Sequence, residues 1–215
     1  MTRPTLHYIY DPLCGWCYAA SPLIDVIADA GIPMVLHGGG LWQSPTRLSA
    51  DKRSYIRRSD ARIAEVSGVT FGAAYSNDLL SNPDTVFWSR PTIQAVLAAG
   101  ALESGAGRQM LHAIQQAHYV DGRCVTDVTV ITALAGQIGL GAREFVQHFE
   151  NVKVDEHISD TRQLMQRTGI SGFPGFLLER DHRLLRVVHE PFYGHPAKFL
   201  NAVLSLDMGR EADIR

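Results

Sequence analysis

Three cysteines in 215 residues are too few, and odd in number, for a disulfide-built scaffold. Cysteine here points to chemistry rather than architecture. Lysine and arginine (20) do not exceed aspartate and glutamate (22), and the formal net charge of −2 leaves no basic surplus for nucleic acid or an anionic lipid surface. Neither partner is expected. The longest stretch free of Asp, Glu, Lys and Arg, Ala30 to Thr46, holds Pro33, Pro45 and the triplet Gly38, Gly39, Gly40, and falls short of the ~20 apolar residues of a spanning helix. No membrane segment is expected. Near the beginning, Pro4, His7, Asp11 and Pro12 interrupt any apolar core of the ~7–15 residues that an export signal needs, so the expected location is the cytoplasm. Repeats, low-complexity tracts and charge blocks are missing too.

What is present is an ordinary globular composition, 46% hydrophobic and 20% charged, in a length that suits one large domain or a domain carrying an insertion. Thr5 to Tyr10 reads as a short buried strand ended by Asp11-Pro12. Tyr18 to Ala30 has helical spacing and closes at Gly31, with Pro22 expected to bend it. Pro33 to His37 is a second apolar run, and a helical crossover makes it parallel to the first. From about Ser44 to Glu150 the periodicity is helical, with candidates at Ala50–Ser67, Pro91–Glu103, Arg108–Tyr119, Asp127–Ile138 and Ala142–Asn151. Val154 to Gly169 follows as an amphipathic helix, then a hairpin from Phe176–Leu178 and Leu184–Val188, then a last helix His195–Leu206. The order is β-α-β, a helical block, and α-β-β-α.

Cys14-Gly15-Trp16-Cys17 stands at the first strand-to-helix junction. Unpaired backbone N–H groups and the macrodipole at a helix start favour an anion, and the thiolate of Cys14 is the anion on offer. Cys17, one turn deeper, is placed to attack a mixed disulfide formed on Cys14, which is two-step dithiol exchange. Two other readings stay open: a structural cysteine pair, and a non-enzymatic zinc half-site completed by His112 and His118. Those histidines lie far from Cys17 in the chain and lack the compact spacing of structural zinc ligands, so no metal ligand set is assigned. Cys124, in a helix connection after Asp121-Gly122-Arg123, reads as a bystander thiol. The second distinctive segment is Gly169-Ile170-Ser171-Gly172-Phe173-Pro174-Gly175, at the entry to the late strand.

Asp11-Pro12-Leu13-Cys14-Gly15-Trp16-Cys17, Pro22 five positions on, and the downstream Gly-Ile-x-Gly-Phe-Pro together resemble the thioredoxin superfamily. The large helical block narrows the resemblance to DsbA-like proteins. Ser89-Arg90-Pro91 and Tyr119 followed by Asp121-Gly122-Arg123 are similar to the FrnE-like branch of predicted protein-disulfide isomerases. The resemblance implies an α/β thioredoxin fold built from residues 1–43 and 151–215, with residues 44–150 as the helical insertion. It further implies Cys14 as exposed nucleophile, Cys17 as resolving cysteine, a cis Pro174, and main-chain pairing of substrate at Phe173. Trp16, Trp42 and Phe173 are the expected apolar substrate contacts. The activity implied is thiol–disulfide exchange with protein or small-molecule thiols and disulfides. No cofactor is expected beyond the dithiol, with glutathione as a possible co-substrate. Kappa-type glutathione transferases and 2-hydroxychromene-2-carboxylate isomerases supply the competing enzyme reading, but they typically carry serine where Cys14 stands. Many relatives hold a buried acid six positions before the first cysteine as a proton relay; here that position is Tyr8, which leaves Asp11 or water for the task.

Overall fold

The computed structural model describes residues 4–207. Strand β1 (Thr5–Tyr10) pairs in parallel with β2 (Met34–Gly38), Leu6 facing Met34 and Tyr10 facing Gly38. On its other side β1 runs antiparallel to β5 (Gly175–Arg180), with Leu6 opposite Leu178 and Tyr8 opposite Phe176, and β6 (Arg183–Arg186) closes the order β2-β1-β5-β6. The β5–β6 turn is two residues, Asp181 and His182, both at positive φ, the backbone of the turns that match strand twist.

Strand alternation divides the core. Leu6, Tyr8, Phe176 and Leu178 point to one face, where they pack with Leu23 and Ile27 of α2 (Ser21–Asp29) and Phe199 and Val203 of α9 (Pro196–Asp207). Ile9 and Leu177 point to the other face and meet Leu164 and Met165 of α8 (Val154–Thr168). Gly169 ends α8 in the left-handed conformation, as a C-terminal glycine should.

Between the two halves lie α3 (Ala50–Ser67), α4 (Ser89–Leu102), α5 (Ala106–Tyr119), α6 (Val128–Gln137) and α7 (Ala142–Asn151). Ser49 caps α3 by accepting the Lys52 amide. Helix α4 is buried along most of its length and packs on α5, α6, α7 and α8, which ties the block to the sheet layer. The block is not wholly helical. Two-residue strands β3 (Thr46–Arg47) and β4 (Val86–Phe87) pair antiparallel, and Ala74–Leu79 is a π-helical stretch. A ladder of two residues is too short to leave an alternating pattern.

The first helix differs from expectation. Instead of one bent helix from Tyr18, α1 (Gly15–Ala19) stops at Ala20 and α2 restarts with Pro22 in its first turn. Proline has no N–H for the Tyr18 carbonyl, and the Ser21 hydroxyl donates to that carbonyl at 2.8 Å instead. Among the described residues no helix is long and apolar enough to cross a membrane.

Candidate active site

The chain leaves β1 through a turn that Asp11 holds shut. One carboxylate oxygen accepts the Leu13 amide at 2.9 Å and the other the Leu41 amide at 2.6 Å, so a single buried side chain joins the end of β1 to the segment after β2. Cys14 then occupies the N-cap of α1 with extended backbone and makes no side-chain cap bond, which leaves its sulfur free of the helix end. Cys17 lies one turn on, fully buried, and accepts the Asp11 amide at 3.5 Å. Burial, then hydrogen bonding with Cys14, pushes the Cys17 thiol up. Both cysteines are free thiols.

The late segment arrives from the far end of the sequence. Phe173-Pro174 is a cis peptide, and Cys14 Sγ donates to the Phe173 carbonyl at 3.6 Å. The glycine triplet after β2 makes room for this. A Cβ on Gly39 would lie 2.3 Å from the Phe173 ring, and Gly40 has φ of +70°. Arg162 of α8 donates to the carbonyls of Gly39 and Gly40 while its guanidinium lies 5.5 Å from the centre of the Phe173 ring. One arginine thereby sets the glycine turn and the aromatic side chain next to the dithiol.

Trp16 divides two clefts. It packs on Tyr193 at 5.1 Å between ring centres, and the Tyr193 hydroxyl donates to the Trp16 carbonyl. One cleft of about 440 Å³ runs past Trp16, Phe173, Pro174, Arg186, Glu190 and Tyr193. The other, of about 420 Å³, is walled by Cys14, Trp16, Trp42, Tyr55, Asp60 and Tyr119. Trp42 is half-buried against Phe87 and fixed through Ser89, whose hydroxyl accepts the Trp42 amide. The sequence-derived set Cys14, Cys17, Trp16, Trp42, Phe173 and Pro174 thus shares one neighbourhood. Cys14 is only 7% exposed, more covered than the resemblance implies.

Tyr8 is buried behind Cys17 and donates to its carbonyl at 3.2 Å; burial, then the charge of the neighbouring cysteines, pushes its phenol up. Asp11 contacts Cys17 through its backbone N–H, and burial pushes its carboxyl up against the opposing pull of the Leu41 amide, the Ser89 hydroxyl and the Leu13 amide. Three participants were not legible in the sequence: Arg162, Tyr193 and Asp60. Asp60 sits in α3 in line with Ile56 at i−4 and Ile63 at i+3, and it is buried and bonded to the Tyr75 hydroxyl at 2.9 Å.

The two histidines of the zinc reading separate. His118 is buried among Tyr75, Phe87 and Tyr119, where burial lowers its imidazole to about 3, whereas His112 is exposed. Among the described residues no group of three or more His, Cys, Asp or Glu side chains is placed to hold a metal ion. Cys124 is exposed, and its sulfur lies 3.2 Å from the Thr126 hydroxyl.

The profile of the DSBA-like thioredoxin domain matches residues 5–190. Cytosolic disulfide reductase DsbM from Pseudomonas aeruginosa is 42% identical, covers 94% of this chain and 99% of its own, and superposes with a TM-score of 0.85. Its structure with GSH gives 39% identity, coverage of 95% and 99%, and a TM-score of 0.84. A Nitrosomonas europaea structure, 23% identical over 97% of this chain and 98% of that one, shares the fold with a TM-score of 0.82. No curated protein sequence matches the chain at a significant level.

Proposed function

The chain belongs to the DSBA-like thioredoxin domain family of thiol–disulfide oxidoreductases, and on that premise we propose that it reduces disulfides through Cys14 and Cys17 in the cytoplasm, with glutathione as the thiol that restores the dithiol. The observation that carries this reading is the N-cap sulfur of Cys14, 3.6 Å from the Phe173 carbonyl, with the Cys17 thiol in hydrogen-bonding contact behind it. The reducing direction, the location and glutathione draw support from the Pseudomonas relative, which is described as a cytosolic disulfide reductase and whose structure was determined with GSH.

In the first step the Cys14 thiolate attacks one sulfur of the substrate disulfide. A Cys14–substrate bond forms, the substrate S–S bond breaks, and the departing thiolate takes up a proton. Cys17 then gives up its proton and attacks Cys14, which releases the second substrate thiol and leaves a Cys14–Cys17 disulfide. Two glutathione thiols return the pair to the dithiol and leave as glutathione disulfide. The substrate disulfide gains the two electrons that the glutathiones lose.

The main chain at Phe173, beside the cis proline, is positioned to pair with extended substrate, a short form of strand addition. Trp16, Trp42 and Phe173 supply apolar surface on either side of the thiols. Such a surface accommodates protein segments as well as small disulfides.

The test is reduction of insulin, or of a small test disulfide, with glutathione as the sole reductant. Cys14→Ser abolishes turnover, and Cys17→Ser accumulates a mixed disulfide on Cys14 that mass spectrometry detects. Undiminished turnover in both variants refutes the assignment. Conjugation of glutathione to an electrophile that survives loss of Cys17 moves the protein to the transferase reading instead.

A further inference from the structure

The exchange just described leaves a thiolate that must find a proton, and an alkyl thiolate with a pKa near ~8.5 departs poorly without one. Three carboxylic acids lie close to the thiols or the clefts. Both oxygens of Asp11 are taken by backbone amides, and the residue is fully buried on the Cys17 side. Glu190 belongs to the cleft that lacks the Cys14 sulfur. Asp60 shares the cleft of Cys14, and its oxygens are differently employed. Oδ2 accepts the Tyr75 hydroxyl at 2.9 Å, while Oδ1 makes no hydrogen bond among the described residues and lies 3.1 Å from the position a Cβ would take on Gly15, the residue after Cys14. A side chain at position 15 would meet both this oxygen and Ile63, so the glycine allows the close approach.

We propose that Asp60, contributed by the inserted helical block, is the general acid that protonates the departing substrate thiolate in the first exchange step. This assignment rests on the dithiol reading above. The atoms balance: the Cys14 electron pair forms the new S–S bond, the old S–S pair leaves on the second sulfur, and that sulfur takes the Asp60 proton. Asp60 is left as a carboxylate and recovers its proton from water.

Burial holds the Asp60 carboxyl up at about 6, against the lowering hydrogen bond from Tyr75, so a protonated fraction persists toward neutral pH and the acid is strong enough to protonate a thiolate. The groups around it are Tyr75 from the π-helical stretch, Tyr119 from α5, Cys14 beside α1, and Arg57 and Lys52 on its own helix. Neither cation pairs with it. Arg57 donates to the Ser76 carbonyl and Ser81 hydroxyl, and Lys52 lies over the Tyr55 ring.

The test compares leaving groups, in a Cys17→Ser background that stops at the mixed disulfide. One substrate is bis(2-hydroxyethyl) disulfide, whose thiolate needs a proton; the other is 5,5′-dithiobis(2-nitrobenzoate), whose thiolate leaves without one. Asp60→Asn keeps an acceptor for Tyr75 and is expected to slow the alkyl disulfide by ~10-fold or more and the aromatic one less than ~2-fold. Equal slowing of both, or none, overturns the proposal. Tyr75→Phe is the second variant: it removes the hydrogen bond that lowers the Asp60 carboxyl, so the pH limb of the alkyl reaction near 6 moves upward, and an unmoved limb again overturns the proposal. Failure of the dithiol reading is distinct, since then neither disulfide reacts with Cys14 when Asp60 is intact.

Discussion

Gly39→Ala tests whether the glycine turn sets the geometry around the dithiol. A Cβ at this position would sit 2.3 and 2.5 Å from two Phe173 ring carbons and 3.4 Å from a Thr161 methyl. Carbon atoms are comfortable at ~3.5–4.0 Å, so the ring edge must retreat by roughly 1.2 Å or more. It is the outer end of its side chain that must move, which places the stability loss at the low end of the ~1–3 kcal/mol expected for overpacking. At about 1 kcal/mol the melting temperature falls by ~2–4 °C for a chain of this size. The larger effect belongs to exchange. The Phe173 ring lines a cleft beside Trp16, its carbonyl receives the Cys14 thiol, and the Arg162 side chain behind it is already committed to Gly39 and Gly40. A misplacement of ~1 Å at a reacting site can cost ~100-fold, so kcat/KM for a test disulfide is expected to fall by ~10- to 100-fold. Adding Phe173→Ala removes the obstacle, and the double variant is expected to regain the lost stability with a coupling of at least ~0.5 kcal/mol. The reasoning fails if Gly39→Ala leaves both melting temperature and kcat/KM at wild-type values, or if the two substitutions simply add.

Two further outcomes concern buried polar groups. His118 is buried with neither ring nitrogen bonded to a side chain or backbone group, and its imidazole is lowered to about 3 against an ordinary value of 6.5. The native state therefore binds this proton less readily than the unfolded chain; the contribution is fully present above about 6.5 and is lost as pH falls toward 3, by roughly 4–5 kcal/mol in all. His118→Leu is expected to flatten the acid limb of a urea-denaturation stability profile over that window; an unchanged limb excludes His118 as a source of acid lability. Asp11→Ala strips the acceptor from two backbone amides, at ~1–3 kcal/mol for each donor left buried, and is expected to lower stability by about 2–6 kcal/mol, whereas Asp11→Asn, which keeps one acceptor oxygen, loses less. Denaturant midpoints check the order, and equal losses in the two variants contradict the hydrogen-bond account.

What could be read along the chain was what the chain itself keeps together. Cys14, Cys17 and Trp16 declare themselves within four consecutive residues, and Gly169 and the helical periodicities of α3 and α7 mark real boundaries. The two-residue strands β3 and β4 left no pattern, because alternation needs more than two positions to register. The break at Ala20 needed a detail that periodicity does not carry, namely that Ser21 replaces the missing proline N–H at the Tyr18 carbonyl. Site residues that come from elsewhere in the fold were harder. The glycine triplet was visible only as an interruption; its use appears when Ile93 packs on Gly38, Phe173 on Gly39 and Arg162 on the carbonyls of Gly39 and Gly40.

Asp60 shows why such residues escape a one-dimensional reading. In α3 its sequence neighbours include Arg57, Arg58 and Arg62, which suggests solvated ion pairing, although only Arg57 has pairing spacing and Ile56 at i−4 and Ile63 at i+3 share its face. Packing reverses that expectation. Arg62 pairs with Glu65, Arg57 turns to the loop around Ser76 and Ser81, and α3 lies on α1, so among the described residues the inward-facing carboxylate forms no ion pair. Desolvation without a cation raises a carboxyl, whereas a bonded arginine would have lowered it. The same geometry that makes Asp60 costly to ionise therefore places in the cleft of Cys14 a carboxyl that holds its proton up to about pH 6, and in the proposed step the insertion becomes part of the chemistry rather than a cover over it.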